Sequence, residues 1–249
     1  MNHDVATLQK TADYYLVYNR LSSLGRSSIL LGIFNLLASL IPIQGPFICT
    51  TLAVIGLCLL VEGFWNLLYP TPQSVLLEGL VLLVVGAGEL SIAVYDLVVD
   101  GRVHLLITFL GLTHIAGALR WFRSYARIQD TMREPPPLED LKGMERLFHA
   151  LQRSRERDPG VIQFAVPPRI WKGMLSRDLL IMIDSLKQQV IIARKDDVDW
   201  TTNGATLFGV RHRATVRVRE YQFQALLSPP SFTKLAAWKP AREVAELME

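Results

Sequence analysis

Cysteine is nearly absent from this 249-residue chain, and the two present, Cys49 and Cys58, both lie inside one apolar run. Nine residues apart, they fall on opposite faces of a helix, so neither a disulfide nor a metal pair is expected and both read as buried thiols. Charge is equally scarce in the first half. Residues 1–123 hold six Lys/Arg and seven Asp/Glu, whereas residues 124–249 hold twenty and sixteen. The net charge of +3 therefore describes the second half and says little about nucleic acid. No P-loop, GxSxG elbow, HExxH or CxxC is present, so no catalytic class is indicated, and neither cofactor nor metal is expected. The first 25 residues lack a continuous apolar core, and no cleavable signal peptide is expected there.

What the first half has instead is length without polarity. Four stretches approach the roughly 20 apolar residues that cross a bilayer: 27–44, 48–68, 76–98 and 103–122. A soluble four-helix bundle would need a polar face on each helix, and these have almost none. The fold class expected is an α-helical membrane domain of four transmembrane helices in two hairpins, followed by a cytosolic β-rich domain. IQGPF, YPTPQS and VDGR are short connections, so neighbouring helices run antiparallel. Arg20 and Arg26 precede the first stretch, and Arg120, Arg123 and Arg127 follow the fourth. The positive-inside rule then places both termini in the cytoplasm. Small residues recur by sevens (Cys49, Gly56, Gly63; Gly79, Gly86, Ala93; Gly111, Ala118) as stripes where helices approach closely.

The two hairpins are alike. ILLGIFNLL aligns with LLEGLVLLV at an offset of 47, and LAVIGLCLLVEGFWNLL with LITFLGLTHIAGALRWF at 54, which makes a repeated hairpin the expected unit. With LLGI...LL opening the repeat and GLxLLVxG in its second helix, residues 27–122 resemble the HdeD-type short-repeat bacterial membrane proteins. That family usually has three hairpins and this chain has two. The resemblance implies a bacterial inner-membrane location and supplies no catalytic residue.

Before the membrane, residues 4–24 read as a helix with Leu8, Ala12 and Tyr15 on one side, lying in the cytoplasmic interface or forming a plain helical extension. The domain boundaries expected are 1–25, 26–123, 124–160 and 161–249. REPPPLEDLKG marks a stiff linker, and 138–153 an amphipathic helix ending before Pro159-Gly160. Strands are expected at 161–166, 170–175, 178–184, 188–194, 213–220, 221–227 and 231–238, with a short helix opening at Pro240. A run of strands closed by one C-terminal helix resembles the pleckstrin-homology superfold, a helix-capped small barrel; another small barrel or sandwich stays open.

Ionisable groups inside the apolar stretches are the first candidates for function, because burying one is costly. Glu78, Glu89 and Asp96 return to within about 20° of one helix face at 100° per residue. His114 lies at a depth similar to that of Glu89, and Glu62 with Arg120 forms a second possible pair. Such groups read as interhelical contacts, as a contact between subunits, or as a proton path. In the second half, VRHRATVRVRE puts Arg211, Arg213, Arg217 and Arg219 at alternate positions, one arginine-lined strand face suited to a lipid headgroup, a partner or plain solvent. Aromatics are not interleaved there, so no nucleic acid is expected. Asp196, Asp197, Asp199 and Asn203 read as a polar turn.

Together these readings point to a non-enzymatic membrane scaffold or accessory subunit, a homo-oligomer or part of a complex, in contact with membrane lipids. The alternative is a small proton or ion transporter using Glu89 and His114.

Overall fold

The computed structural model describes residues 4–41, 45–166, 169–184, 189–205 and 211–241, with the backbone alone at 100, 203 and 205. The chain divides into two units. A β-rich unit takes Met1–Leu16 together with Pro135–Glu249, and a helical unit takes Val17–Glu134.

Four long helices are α1 (Val5–Ser39), α2 (Gly45–Leu68), α3 (Pro72–Asp100) and α4 (Leu105–Met132). All four are long and apolar enough to span a membrane. Their outward faces carry Leu30, Phe34, Leu40, Val98, Leu105 and Phe109, all exposed, the inverse of a water-soluble bundle. Of the two readings of residues 4–24, the plain helical extension is the one found: they are part of α1, which runs unbroken through Gly25. Gly25 does not break the helix; it removes a side chain where α2 passes.

Glycines set the helix crossings of the helical unit. A Cβ on Gly63 would lie 2.7 Å from the Gly25 carbonyl oxygen, and one on Gly32 would lie 2.8 Å from that of Gly56. This order is antiparallel. The α3–α4 crossing has the same construction, with a Cβ on Gly86 falling 2.8 Å from the Gly111 carbonyl oxygen. Even the side chains that close each gap correspond. Leu36 and Leu60 flank the first crossing, and Leu90 and Ile115, also four residues on from the glycines, flank the second. Between α2 and α3 the contact is larger side chains: Ile55, Leu59, Val81 and Val85. Backbone approach of this kind brings the helices into dispersion contact along their length.

The β-rich unit is a seven-stranded antiparallel sheet, curled into a half-barrel, with a C-terminal helix. Its strands are β1 (Val161–Val166), β2 (Arg169–Leu175), β3 (Leu179–Asp184), β4 (Val190–Arg194), β5 (Val198–Ala205), β6 (His212–Val218) and β7 (Tyr221–Leu227). Spatial order is β4-β3-β2-β1-β7-β6-β5, two meanders joined through β1 and β7. Phe164, Trp171, Leu180, Met182, Ile191, Trp200, Val216 and Leu227 fill one face.

Two expected elements are corrected. Residues 231–238 are not a strand but lie in helix α6 (Pro229–Trp238), with Pro229 and Pro230 in its first turn and the Ser228 hydroxyl capping the Ser231 N–H. Leu235 inserts into the half-barrel core and Phe232 packs edge-on against Trp200. The helix expected from Pro240 falls largely outside the described residues. The Asp-rich segment expected as a turn is one only at Lys195–Asp197; from Val198 it becomes β5 and buries Trp200.

The other face of the β2–β4 half is covered by two helices. The helix α5 (Leu138–Arg153) presents Met144, Phe148 and Leu151, and the start of α1 presents Val5, Ala12, Tyr15 and Leu16, to Ile183, Val190 and Ile192. The Leu8, Ala12 and Tyr15 face is thus covered by protein. Burial on both faces explains why LLIMID and VIIAR are continuous apolar runs. β4 ends the sheet order, and its outer backbone is met by one side chain. Gln9 Nε2 donates to the Val190 carbonyl at 2.9 Å while Gln9 Oε1 accepts from the Ile192 N–H at 2.8 Å. One amide thereby does what the peptide group of a further strand would do, and it blocks that edge. Gln9→Leu is expected to lower stability of the β-rich unit by about 1–3 kcal/mol, since both edge groups lose their partner; denaturant unfolding followed by tryptophan fluorescence measures it.

Candidate functional site

The helical unit brings its ionisable groups together in three places along α3. Glu62 and Asn66 stand one turn apart on α2, and α3 contributes Glu78. Asn66 Nδ2 donates to Glu62 Oε1 and, at 3.3 Å, to Glu78 Oε2. Exposure of the three is 1%, 0% and 6%. Glu62 Oε2 and Asn66 Oδ1 are buried with no hydrogen-bond partner among the described residues. From α1, the Arg20 guanidinium sits over the Trp121 ring, 4.8 Å from its centroid, and its charge acts on Glu78.

The expected Glu62–Arg120 pair does not form, because Arg120 is exposed. It lies two residues, about 200° around the helix, from the packed face at Ala118. Its charge acts on Arg20 instead. Asn66 and Arg20 are additions to the expected site residues. The four-residue spacing of Glu62 and Asn66 is the signal that marks the first of them.

Further along α3, Glu89 and His114 do meet: Glu89 Oε2 lies 2.7 Å from His114 Nδ1. Asp96 has a partner that the sequence does not single out, His104 at the start of α4, with its Nε2 at 3.2 Å from Asp96 Oδ2. One acidic face of α3 thus serves α2 at one end and α4 along the rest. Among the described residues, the polar side chains nearest these places do not connect them. Asn35, Ser91, Thr108 and Thr113 each donate to a carbonyl of their own helix.

In the β-rich unit, β6 alternates as its sequence requires. Ala214, Val216 and Val218 are buried while Arg213 and Arg217 are exposed. Arg211 is exposed just before the strand, and Arg219 lies in the β6–β7 turn at φ 54°, so two arginines rather than four share the strand face. Four residues separate Arg213 from Arg217, about 13 Å along the strand. Gln222 on β7 and Asp199 on β5 stand beside Arg217, and Gln224 beside Thr215. Asp199 is held in turn by Lys239 at 3.4 Å. Cys49 and Cys58 are free thiols. No group of three or more His, Cys, Asp or Glu among the described residues is arranged to hold a metal ion.

No family model, curated protein or solved structure matches this chain. The three α3 clusters supply interhelical hydrogen bonds and charge pairs within the apolar bundle, and the first also has acceptors to spare. The β6 face offers two cations and two amides, with the Asp199 carboxylate beside Arg217 held by Lys239, to an acidic, hydrogen-bond-accepting surface.

Proposed function

We propose that this chain is a non-enzymatic integral membrane scaffold or accessory subunit, whose β-rich unit docks a protein partner or anionic lipid headgroups. The observation that carries the reading is where the intramembrane polar groups go. Glu89, His114, Asp96 and His104 are occupied in helix–helix pairs, and the hydroxyls and amide that would link them into a path are bonded to their own helices. A conduit needs a continuous polar chain, and a scaffold needs only fixed crossings. The alternative, transport through Glu89 and His114, draws on one pair alone.

Other parts of the reading have separate support. Gly86 lies 54 residues after Gly32, and Gly111 lies 55 after Gly56, with matching contacts at both crossings; this supports a tandem hairpin in the manner of the HdeD-type proteins, in a register different from the string alignment. Two meanders closed by a helix whose Leu235 enters the core support a pleckstrin-homology-like domain. Arginines flanking the first and fourth stretches support cytoplasmic termini, and a bacterial inner membrane rests on the HdeD-type resemblance alone.

Purification of the full chain in gentle detergent tests the proposal. It is expected to emerge with a companion, a second copy or a different chain, or with anionic lipid. Changing Arg213 and Arg217 together to Ala is expected to release whatever the β-rich unit holds, as raised salt does. A bare monomer, identical for wild type and double variant, overturns it.

A further inference from the structure

The Glu62–Asn66–Glu78 cluster has more acceptors than anything around it satisfies. Two carboxylates and one amide oxygen meet a single amide NH2 group, and two of those oxygens, Glu62 Oε2 and Asn66 Oδ1, have no partner among the described residues although both side chains are essentially inaccessible. Native proteins rarely leave such atoms unmatched, and the penalty is greatest in an apolar surrounding. Both orphan atoms belong to side chains one helical turn apart and already in contact, so one ligand placed between them serves both.

Charge defines the ligand. The groups facing the cluster are Glu62 and Asn66 from α2, Glu78 from α3 and Arg20 from α1, while Trp121 and Arg120 of α4 meet Arg20 and not the cluster. Arg20 interacts with Glu78 and is repelled by Arg120, which is itself exposed. Two carboxylates against one guanidinium leave a single negative charge. A divalent cation would overshoot it and leave a buried positive charge, whereas a monovalent cation neutralises it. We propose that Glu62, Asn66 and Glu78 form a buried binding site for one monovalent cation, a proton or a sodium ion, that locks α2 to α3. A proton on Glu62 Oε2 turns an orphan acceptor into a donor beside the Asn66 oxygen. A sodium ion takes both orphan oxygens as ligands. The site goes beyond the scaffold reading and stands or falls separately from it.

The test uses the full-length protein in detergent. Thermal unfolding is followed by tryptophan fluorescence at pH 6 and pH 8, in sodium chloride and in choline chloride of equal ionic strength, so that screening is constant. Other groups titrate over this range, so the reading is the difference between wild type and Glu62→Gln. If sodium is the ligand, the wild-type midpoint rises in sodium over choline by about 5 °C or more at saturating salt, and Glu62→Gln abolishes the rise. If the ligand is a proton, sodium and choline give equal midpoints. The wild type then loses stability from pH 6 to pH 8, because unfolding releases the bound proton and rising pH favours that release. Glu62→Gln, which carries its own permanent donor, loses less. Glu78→Gln is the second variant, should the first not fold; it removes the charge that calls for the cation and flattens the same response. Wild-type midpoints that ignore both sodium and pH overturn the proposal, as do responses that persist undiminished in the variants.

Discussion

A chain that begins at Val17 is expected to lose the folded β-rich unit, although every strand is still present. The missing residues carry Val5, Leu8, Ala12, Tyr15 and Leu16, which with α5 cover the outer face of the β3–β4 pair. Burying a large apolar side chain contributes about 1.5–3 kcal/mol, so the four large ones together contribute on the order of 6–12 kcal/mol as an upper bound. A domain is stable by only about 5–15 kcal/mol in all. The Gln9 bonds to Val190 and Ile192 disappear as well, leaving an apolar strand with an open edge. Limited proteolysis measures the outcome. Residues 138–241 should resist cleavage in the full chain and be degraded rapidly in the shortened one. Equal resistance would show that α5 alone suffices to cover the sheet.

The second large effect is at the α1–α2 crossing. Gly63→Leu is expected to destroy it, because even the first carbon of the new side chain would lie 2.7 Å from the Gly25 carbonyl oxygen and 2.8 Å from the Ile29 backbone nitrogen. Backbone atoms cannot rotate aside, so the helices must separate and give up the contact at Gly32 and Gly56 too. Overpacking typically costs about 1–3 kcal/mol where side chains adjust; here the cost exceeds that range, and aggregated or misassembled protein on gel filtration in detergent is the expected readout. Gly143 provides the opposite case. It lies within α5, where an added Cβ would meet nothing within 4 Å, so Gly143→Ala should stabilise the β-rich unit by about 0.5–1 kcal/mol. Opposite signs at two helical glycines would separate close approach from mere helix propensity.

How far the amino-acid string reveals this molecule depends on whether neighbours in sequence carry the signal. The four long helices are legible because hydropathy is a property of each stretch by itself. β6 is legible because one exposed face imposes strict alternation on ATVRV. The start of α1 resembles a separate, interface-lying helix because its covering partners are α5 and β4, more than a hundred residues away. Residues 231–238 are apolar enough for a strand, and the decisive cue is the pair of prolines before them, which suits a helix start. β5 is hidden by its aspartates, Asp196 and Asp197 at the turn before it and Asp199 within it, while Trp200 beside the last of them is what the core requires. At the candidate site, Glu89 and His114 can be paired by depth alone. The Glu62–Asn66–Glu78 cluster cannot, since depth says nothing about which way a helix is rotated, and pairing Arg120 with Glu62 fails for that reason.

The Gln9 bonds to β4 also impose an order in time. They span 181 and 183 residues of chain, so Gln9 and the apolar face around it leave the ribosome long before β4 exists. At roughly 5–20 residues per second, the delay is on the order of ten to forty seconds. Through that interval all of residues 17–134 are made, and the first sixteen must wait unpartnered in the company of whatever holds nascent chains. Closing the β-rich unit is therefore a late event that depends on both ends of the chain, and a stalled or truncated product would carry an apolar N-terminal face with nothing to receive it.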